Sequence, residues 1–217
     1  MQKVSKKANR RKEAFTIIAF EGPCSIYDIY KKMSKNKETH YTTTLRIVKE
    51  LEKRGLIEVI EQKGPRKAKV YGLTFYGLCV AIAALPEQPL DPLIKRWKHL
   101  EGIILKNWDY LTAAVPRERL IAPLLLAADA VIRFKRDHRY AELIGEKTKP
   151  EKVFRDEFLY RMTWSAVKNN PCEKFFEACG KIEELKKYVT EWLEKVIEEG
   201  NLLLKKYRQF YNKLQQN

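Results

Sequence analysis

THYTTTLRIVKELEKRGLI, residues 39–57, is the stretch around which the rest of the chain falls into order. It opens on small hydroxyl residues, continues as an amphipathic helix and stops at Gly55 ahead of an apolar strand. Leu45, Val48 and Leu51 recur every three residues, which puts them on one helix face and turns them toward a core. Arg46, Lys49, Lys53 and Arg54 fall on or beside the opposite face. Tyr41, Thr42 and Thr43 place a ring and short hydroxyl donors at the helix start, where no core residue is required. An apolar back, a basic flank and a polar N-terminal tip suit the major groove of DNA. An ordinary solvated surface helix carries the same pattern, so the flanking segments decide.

Downstream, LIEVI and KVYGL read as strands separated by EQKGPRKA. Gly64-Pro65 signals a turn, and the hairpin tip carries Lys63, Arg66 and Lys67 with Lys69 just after. Upstream, a first helix is predicted over 9–20, burying some of Phe15, Ile17, Ile18 and Phe20 and ended by Gly22-Pro23. Ser25 makes a good N-cap, with Asp28 in the capping-box position, for a second helix IYDIYKKMS. That helix turns Ile26, Ile29, Tyr30 and Met33 inward. KNKETH is a polar turn before the third helix, and Gly55 stands where a left-handed residue closes it.

The order helix, helix, helix, LEKRGLIEVI, basic turn, VYGLTFYGL resembles a winged helix-turn-helix domain of the transcription-regulator type. The strand-to-helix exit Tyr71-Gly72-Leu73-Thr74, with Gly77 after it, is similar to that of MarR-like and PadR-like regulators. The likeness covers residues 10–85. It implies that the start of the third helix enters the major groove, placing base contacts on Tyr41, Thr42, Thr43 and Arg46. It likewise implies backbone contacts for Lys63, Arg66 and Lys67 on the wing, and Ser25, His40, Lys49 and Lys69 are added to that set. For His40 a solvated turn histidine is the reading that exposed polar groups favour over DNA contact. One departure stands out: the exposed face of the third helix has no Asn or Gln, so bidentate adenine reading is not encoded there.

Thr74 caps a fourth helix, FYGLCVAIAAL, apolar on nearly every face and therefore buried in its own chain or in a dimer seam. PEQPLDP, residues 86–92, reads as a linker. Beyond it every local sign is helical. Trp97, Leu100, Ile104 and Trp108 stand at helical spacing within one or two helices over 93–115. Pro116 breaks them, and Pro123 kinks or opens the next helix. GEKTKPEK is a loop before the helix VFRDEFLYRMTWSAV. The last segment reads as a long helix interrupted near Gly180 or Gly200. Ile182, Leu185, Val189, Trp192, Val196, Leu203 and Phe210 follow a heptad seam broken by Glu199 and Lys206, as an intramolecular bundle helix or a dimerising coiled coil.

The expected fold is mainly α: a basic arm (1–8), a winged helix of three helices and a β-hairpin wing (9–85), a linker (86–92) and an all-helical C-terminal domain (93–217). Charge agrees with a polyanionic partner. The chain of 217 residues carries a formal net charge of +15, of which residues 1–78, with 18 Lys+Arg against 8 Asp+Glu, hold +10. The first residues serve as a mobile arm on phosphate or as a solvated tail. No apolar run reaches membrane-spanning length, and the Lys-rich start lacks a signal-peptide core, so a cytoplasmic protein is expected. Cys24, Cys79, Cys172 and Cys179 form no C-x-x-C pair and read as reduced, buried thiols. His40, His99 and His138 are scattered, and no phosphate loop or nucleophile motif occurs. Neither an enzyme nor a cofactor or metal site is expected. Two classes of function remain: a sequence-specific regulator of double-stranded DNA working as a homodimer, with partner contacts through its C-terminal half, or a winged-helix module that reads no sequence and serves a replication, chromatin or segregation assembly, or binds protein or RNA.

Overall fold

Apolar residues spaced three and four apart carry most of the chain into helices. The computed structural model describes residues 6–34, 39–64, 67–85, 88–137, 148–168 and 173–215. Among these the protein is mainly helical with one small antiparallel sheet. The order is α1 (Lys6–Glu21), β1 (Cys24–Ser25), α2 (Ile26–Ser34), α3 (Tyr41–Lys53), β2 (Ile57–Lys63), β3 (Ala68–Leu73), α4 (Phe75–Ala84) and α5 (Leu90–Trp97). A 3₁₀ turn (Lys98–Leu100) follows, then α6 (Trp108–Ala114), α7 (Arg117–Arg136), α8 (Pro150–Lys168), α9 (Glu173–Gly180) and α10 (Glu183–Gln215).

Local signals set the first half. Ser25 Oγ accepts from the Asp28 N–H at 3.2 Å while the Asp28 carboxylate accepts from the Ser25 N–H at 3.0 Å, so the capping box closes as expected. Gly55, at φ 68°, ends α3, and its N–H and the Leu56 N–H return to the Glu52 and Leu51 carbonyls. Helix α1 begins earlier than expected and takes in residues assigned to the basic arm. The core face of α3 is also rotated from the expected one: Thr44, Ile47, Val48 and Leu51 are buried, whereas Leu45 is half-buried. A stripe at spacings 3, 1 and 3 covers a wider arc than the threefold repeat alone.

Strand order in the sheet is β1-β3-β2. The two-residue β1 was not anticipated; it pairs Cys24 with Tyr71 and Ser25 with Val70. The hairpin strands run closer to their turn than expected, out to the Lys63–Ala68 pair, and a bulge between Val59 and Glu61 sets Ile60 outside the register.

The hairpin leaves toward the helical half through a tight clasp. Thr74 Oγ1 donates to the Gly55 carbonyl at 2.6 Å and accepts from the Gly77 N–H at 2.9 Å, while the Thr74 N–H donates to the Leu56 carbonyl. Gly77 lies so near that carbonyl that a Cβ there would overlap the Leu56 oxygen. Gly77→Ala should therefore lower the unfolding free energy by about 1–3 kcal/mol. The urea midpoint should fall at unchanged slope. An unmoved midpoint would mean that the Leu56 peptide yields without cost.

The segment read as a linker is not one throughout. Helix α5 starts at Leu90, and Leu90, Leu93, Ile94 and Trp97 are buried. Trp97 Nε1–H donates to the Ala19 carbonyl of α1 at 2.7 Å, and a Cβ on Gly72 of β3 would stand 3.1 Å from its ring. Helix α5 thus packs on the sheet and α1, and the apolar core runs without a break from Ala14 to Trp192.

Helix α4 is buried within its own chain, against α7 and α5. This settles the choice left open for its all-round apolar surface. Phe75, Phe154, Phe158 and Phe175 follow ring to ring at 5.7, 6.4 and 6.0 Å, tying α4 to α8 and α9. Residues 93–115 give two helices, separated at a turn around the buried Glu101. Its carboxylate accepts from the N–H groups of Ile103 and Leu105 at 3.1 and 2.7 Å, and Arg155 Nε lies 3.5 Å away. Burial pushes this carboxyl above its usual range against those donors. Pro123 sits inside α7 rather than in its first turn, and α8 opens at Pro150, inside the expected loop. The chain breaks after Gly180 but passes helically through Gly200. Leu185, Val189 and Trp192 of the expected seam are buried by their own chain.

Candidate nucleic-acid interface

Helix α3 starts after His40, whose backbone is extended (φ −82°, ψ 148°) and whose side chain caps nothing. Its first N–H groups are left to the Thr43 and Thr44 bonds onto the His40 carbonyl. The open N-terminal tip therefore keeps the positive end of the helix dipole toward solvent. His40, Tyr41 and Thr42 are exposed there, and Thr43 is half-buried at the edge.

With Thr44, Ile47, Val48 and Leu51 turned inward, the outward stripe of α3 is Thr42, Arg46, Lys49 and Lys53 at spacings of four, three and four. All four are exposed. None of its three cations makes an ion pair with a described carboxylate. The two acids of α3 lie off the stripe. Glu50 is held between Arg11 of α1 at 3.2 Å and Arg54 at 3.0 Å, and Glu52 is half-buried. The geometry thus leaves three uncompensated charges along one ridge about 16 Å long. Lys53 belongs to this ridge, although the expected contact set omitted it; its place four residues after Lys49 was the available signal.

Tyr41 does more than face outward. Its ring meets the Tyr30 ring of α2 edge-on at 5.7 Å, and Tyr30 lies 6.3 Å from Tyr27. Tyr27 and Tyr41 are well exposed, so an aromatic strip runs from α2 onto the tip of α3. Long-range contacts of this kind leave no mark in the local sequence.

Ser25 is committed elsewhere. Its hydroxyl donates to the Asp28 carboxylate at 2.6 Å, which both occupies it and sets a negative charge where a phosphate would come. The expected backbone contact at Ser25 is therefore opposed by its own cap. The hairpin lysines stand on a separate element, joined to α3 through Gly55 and Leu56. Lys67 is exposed with its backbone at φ 48°, Lys69 is exposed on β3, and Lys63 lies opposite Ala68. Arg66 lies outside the described residues. Glu58 and Glu61 are exposed on β2, so the hairpin is less cationic than its tip alone.

Other chemistry is thin among the described residues. Cys24, Cys79 and Cys179 are buried free thiols. Burial raises each thiol, that of Cys179 to about 12, which removes thiolate nucleophilicity at neutral pH. Cys172 and His138 lie outside the described residues. No group of three metal-ligating side chains gathers among those described, and no helix there is long and apolar enough to cross a membrane. No family model matches the chain, and no curated protein or solved structure matches it either.

Proposed function

We propose that this chain binds double-stranded DNA through a winged-helix arrangement of α1–α3 and the β2–β3 hairpin, and that it acts as a transcriptional regulator. One observation carries the reading: the unpaired ridge Arg46, Lys49 and Lys53 on the open face of α3, beside a bare helix N-terminus. A helix so charged lies well in the major groove, its tip toward base edges and its flank toward phosphate. The order α1-β1-α2-α3-β2-β3, with β1 joining the hairpin, supports it further, as does the basic hairpin tip.

A second reading draws on the same ridge. Three of its four residues are cations and none is Asn or Gln, a composition that favours phosphate over base edges. A module that binds any duplex would need no more. Selection of bound sites from a random duplex library at fixed salt separates the two. A regulator prefers its site over random duplex by about 10³ or more, and a general binder shows a flat profile. Absence of duplex binding even at low salt would end both readings.

The wing makes a narrower prediction. The Lys67→Ala, Lys69→Ala double variant should weaken all duplexes alike. The slope of log K against log salt should shrink by about 0.9 for each phosphate that the variant leaves unneutralised. An unaltered slope removes the wing from the interface.

A further inference from the structure

The C-terminal half of α10 leaves the body of the protein bare. Leu185, Val189 and Trp192 pack into the core, but every residue over 201–209 is exposed. Ile197, Leu204, Tyr207 and Tyr211 are each more than half exposed, at spacings of seven, three and four. With Gly200 between the first two, they form the a and d positions of a heptad seam, 197-200-204-207-211. It lies one residue over from the seam through Leu203 and Phe210 expected from sequence. A helical end of this length without tertiary support is marginal in water.

We propose that this segment pairs antiparallel with the same segment of a second copy of the chain, about a twofold axis near residue 202. Charge selects both occupant and direction. Residues 191–199 hold Glu191, Glu194, Glu198 and Glu199 against Lys195, whereas residues 205–213 hold Lys205, Lys206, Arg208 and Lys213 with no acid. Parallel pairing would set acid on acid and base on base; antiparallel pairing sets each acidic stretch on a basic one. The seam closes in that register. Ile197 meets Tyr207 of the second copy, and Gly200 meets Leu204, each twice by symmetry. Glu194 and Arg208 then stand at facing flank positions.

Gly200 supplies a second, independent sign. Glycine weakens a helix interior, yet apart from its own stretch of helix backbone no described residue lies within 4 Å of where its Cβ would stand. A leucine from the second copy is the neighbour that uses the space. The pairing stands whether or not the chain binds DNA, and it is measured without DNA.

Sedimentation equilibrium of the full chain in about 0.15 M salt should give twice the 25.6 kDa chain mass at tens of micromolar. Leu204→Glu should raise the dimer dissociation constant at least about a hundredfold, since two buried leucines are removed per dimer. Glu194→Arg and Arg208→Glu should each raise it about tenfold, and the two changes in one chain should restore it. Near-ultraviolet circular dichroism from the core tryptophans Trp97 and Trp108 separates misfolding from failure to pair. A monomer mass for the natural chain at about 100 μM, far above any useful dimer affinity, overturns the proposal, as does a dimer indifferent to Leu204→Glu. Failure of the charge-swapped chain to recover overturns the antiparallel register. A monomer that instead sediments with phosphatidylserine vesicles would assign the face to a lipid surface.

Discussion

Replacing Trp97 with alanine is expected to cost the fold about 3–5 kcal/mol, a large part of the stability of a domain this size. Two losses combine. The indole is 2% exposed and packs over Gly72 of β3, so its removal opens a cavity between α5 and the sheet. Its Nε1–H also satisfies the Ala19 carbonyl near the end of α1, and an abandoned buried acceptor costs about 1–3 kcal/mol by itself. Trp97→Phe keeps the larger part of the ring volume but loses the donor and the pyrrole ring, so it should cost less than alanine does. Urea unfolding read by far-ultraviolet circular dichroism gives both values. Because the core is continuous across the former linker, each variant should unfold in one transition with a lowered midpoint. Two transitions, with only the first displaced, would show that residues 88–97 do not join the halves.

The second large effect concerns the outward face of α3. The triple variant Arg46→Ala, Lys49→Ala, Lys53→Ala should weaken duplex binding by about 10²–10³, taking each solvent-exposed contact at the net worth of an ordinary hydrogen bond, about 1–1.5 kcal/mol. Its salt slope should fall by about 1.8, since Lys49 and Lys53 are the two cations placed on phosphate. All three side chains are exposed, so stability should move by less than about 0.5 kcal/mol. The single changes then divide the roles. Arg46 stands four residues after Thr42, nearest the tip, and a bidentate arginine–guanine pair is worth about 1–3 kcal/mol of discrimination. Arg46→Ala should flatten preference at one base pair, whereas Lys49→Ala and Lys53→Ala should weaken all sequences equally. Leu51→Ala is the control, costing about 2–5 kcal/mol of stability without altering which sequence is preferred. A triple variant that binds as tightly as the natural chain would place the interface elsewhere.

What could be read beforehand was mostly local. The Ser25–Asp28 box, the stop at Gly55 and the Thr74 cap each act within a few residues, so composition and order alone reveal them. Strand β1 was hidden because two residues carry no periodicity and exist as a strand only by pairing with β3, more than forty positions on. Prolines mark a linker at 86–92, while the buried side of α5 depends on a sheet face that local sequence cannot display. At the candidate site the basic ridge was legible from its spacing. The commitment of Ser25 to Asp28 was legible as a cap, and a hydroxyl held by a carboxylate has little to offer a phosphate. The Arg11–Glu50 pair and the ring contact of Tyr30 with Tyr41 are tertiary and left no local trace.

The Thr74 clasp has a mechanical meaning. It gathers the end of α3, the base of the hairpin and the start of α4 at a single joint, where Gly77 leaves no clearance against Leu56. From that joint α3 extends thirteen residues, an arm of about 20 Å. A rotation of about 3° at the fulcrum sweeps the far tip, with Tyr41 and Thr42, through about 1 Å. A hydrogen bond tolerates a few tenths of an ångström before it weakens. Because α1 and α2 also pack along this arm, the clasp and its two neighbours together fix the angle of the tip, and length alone makes that angle exacting.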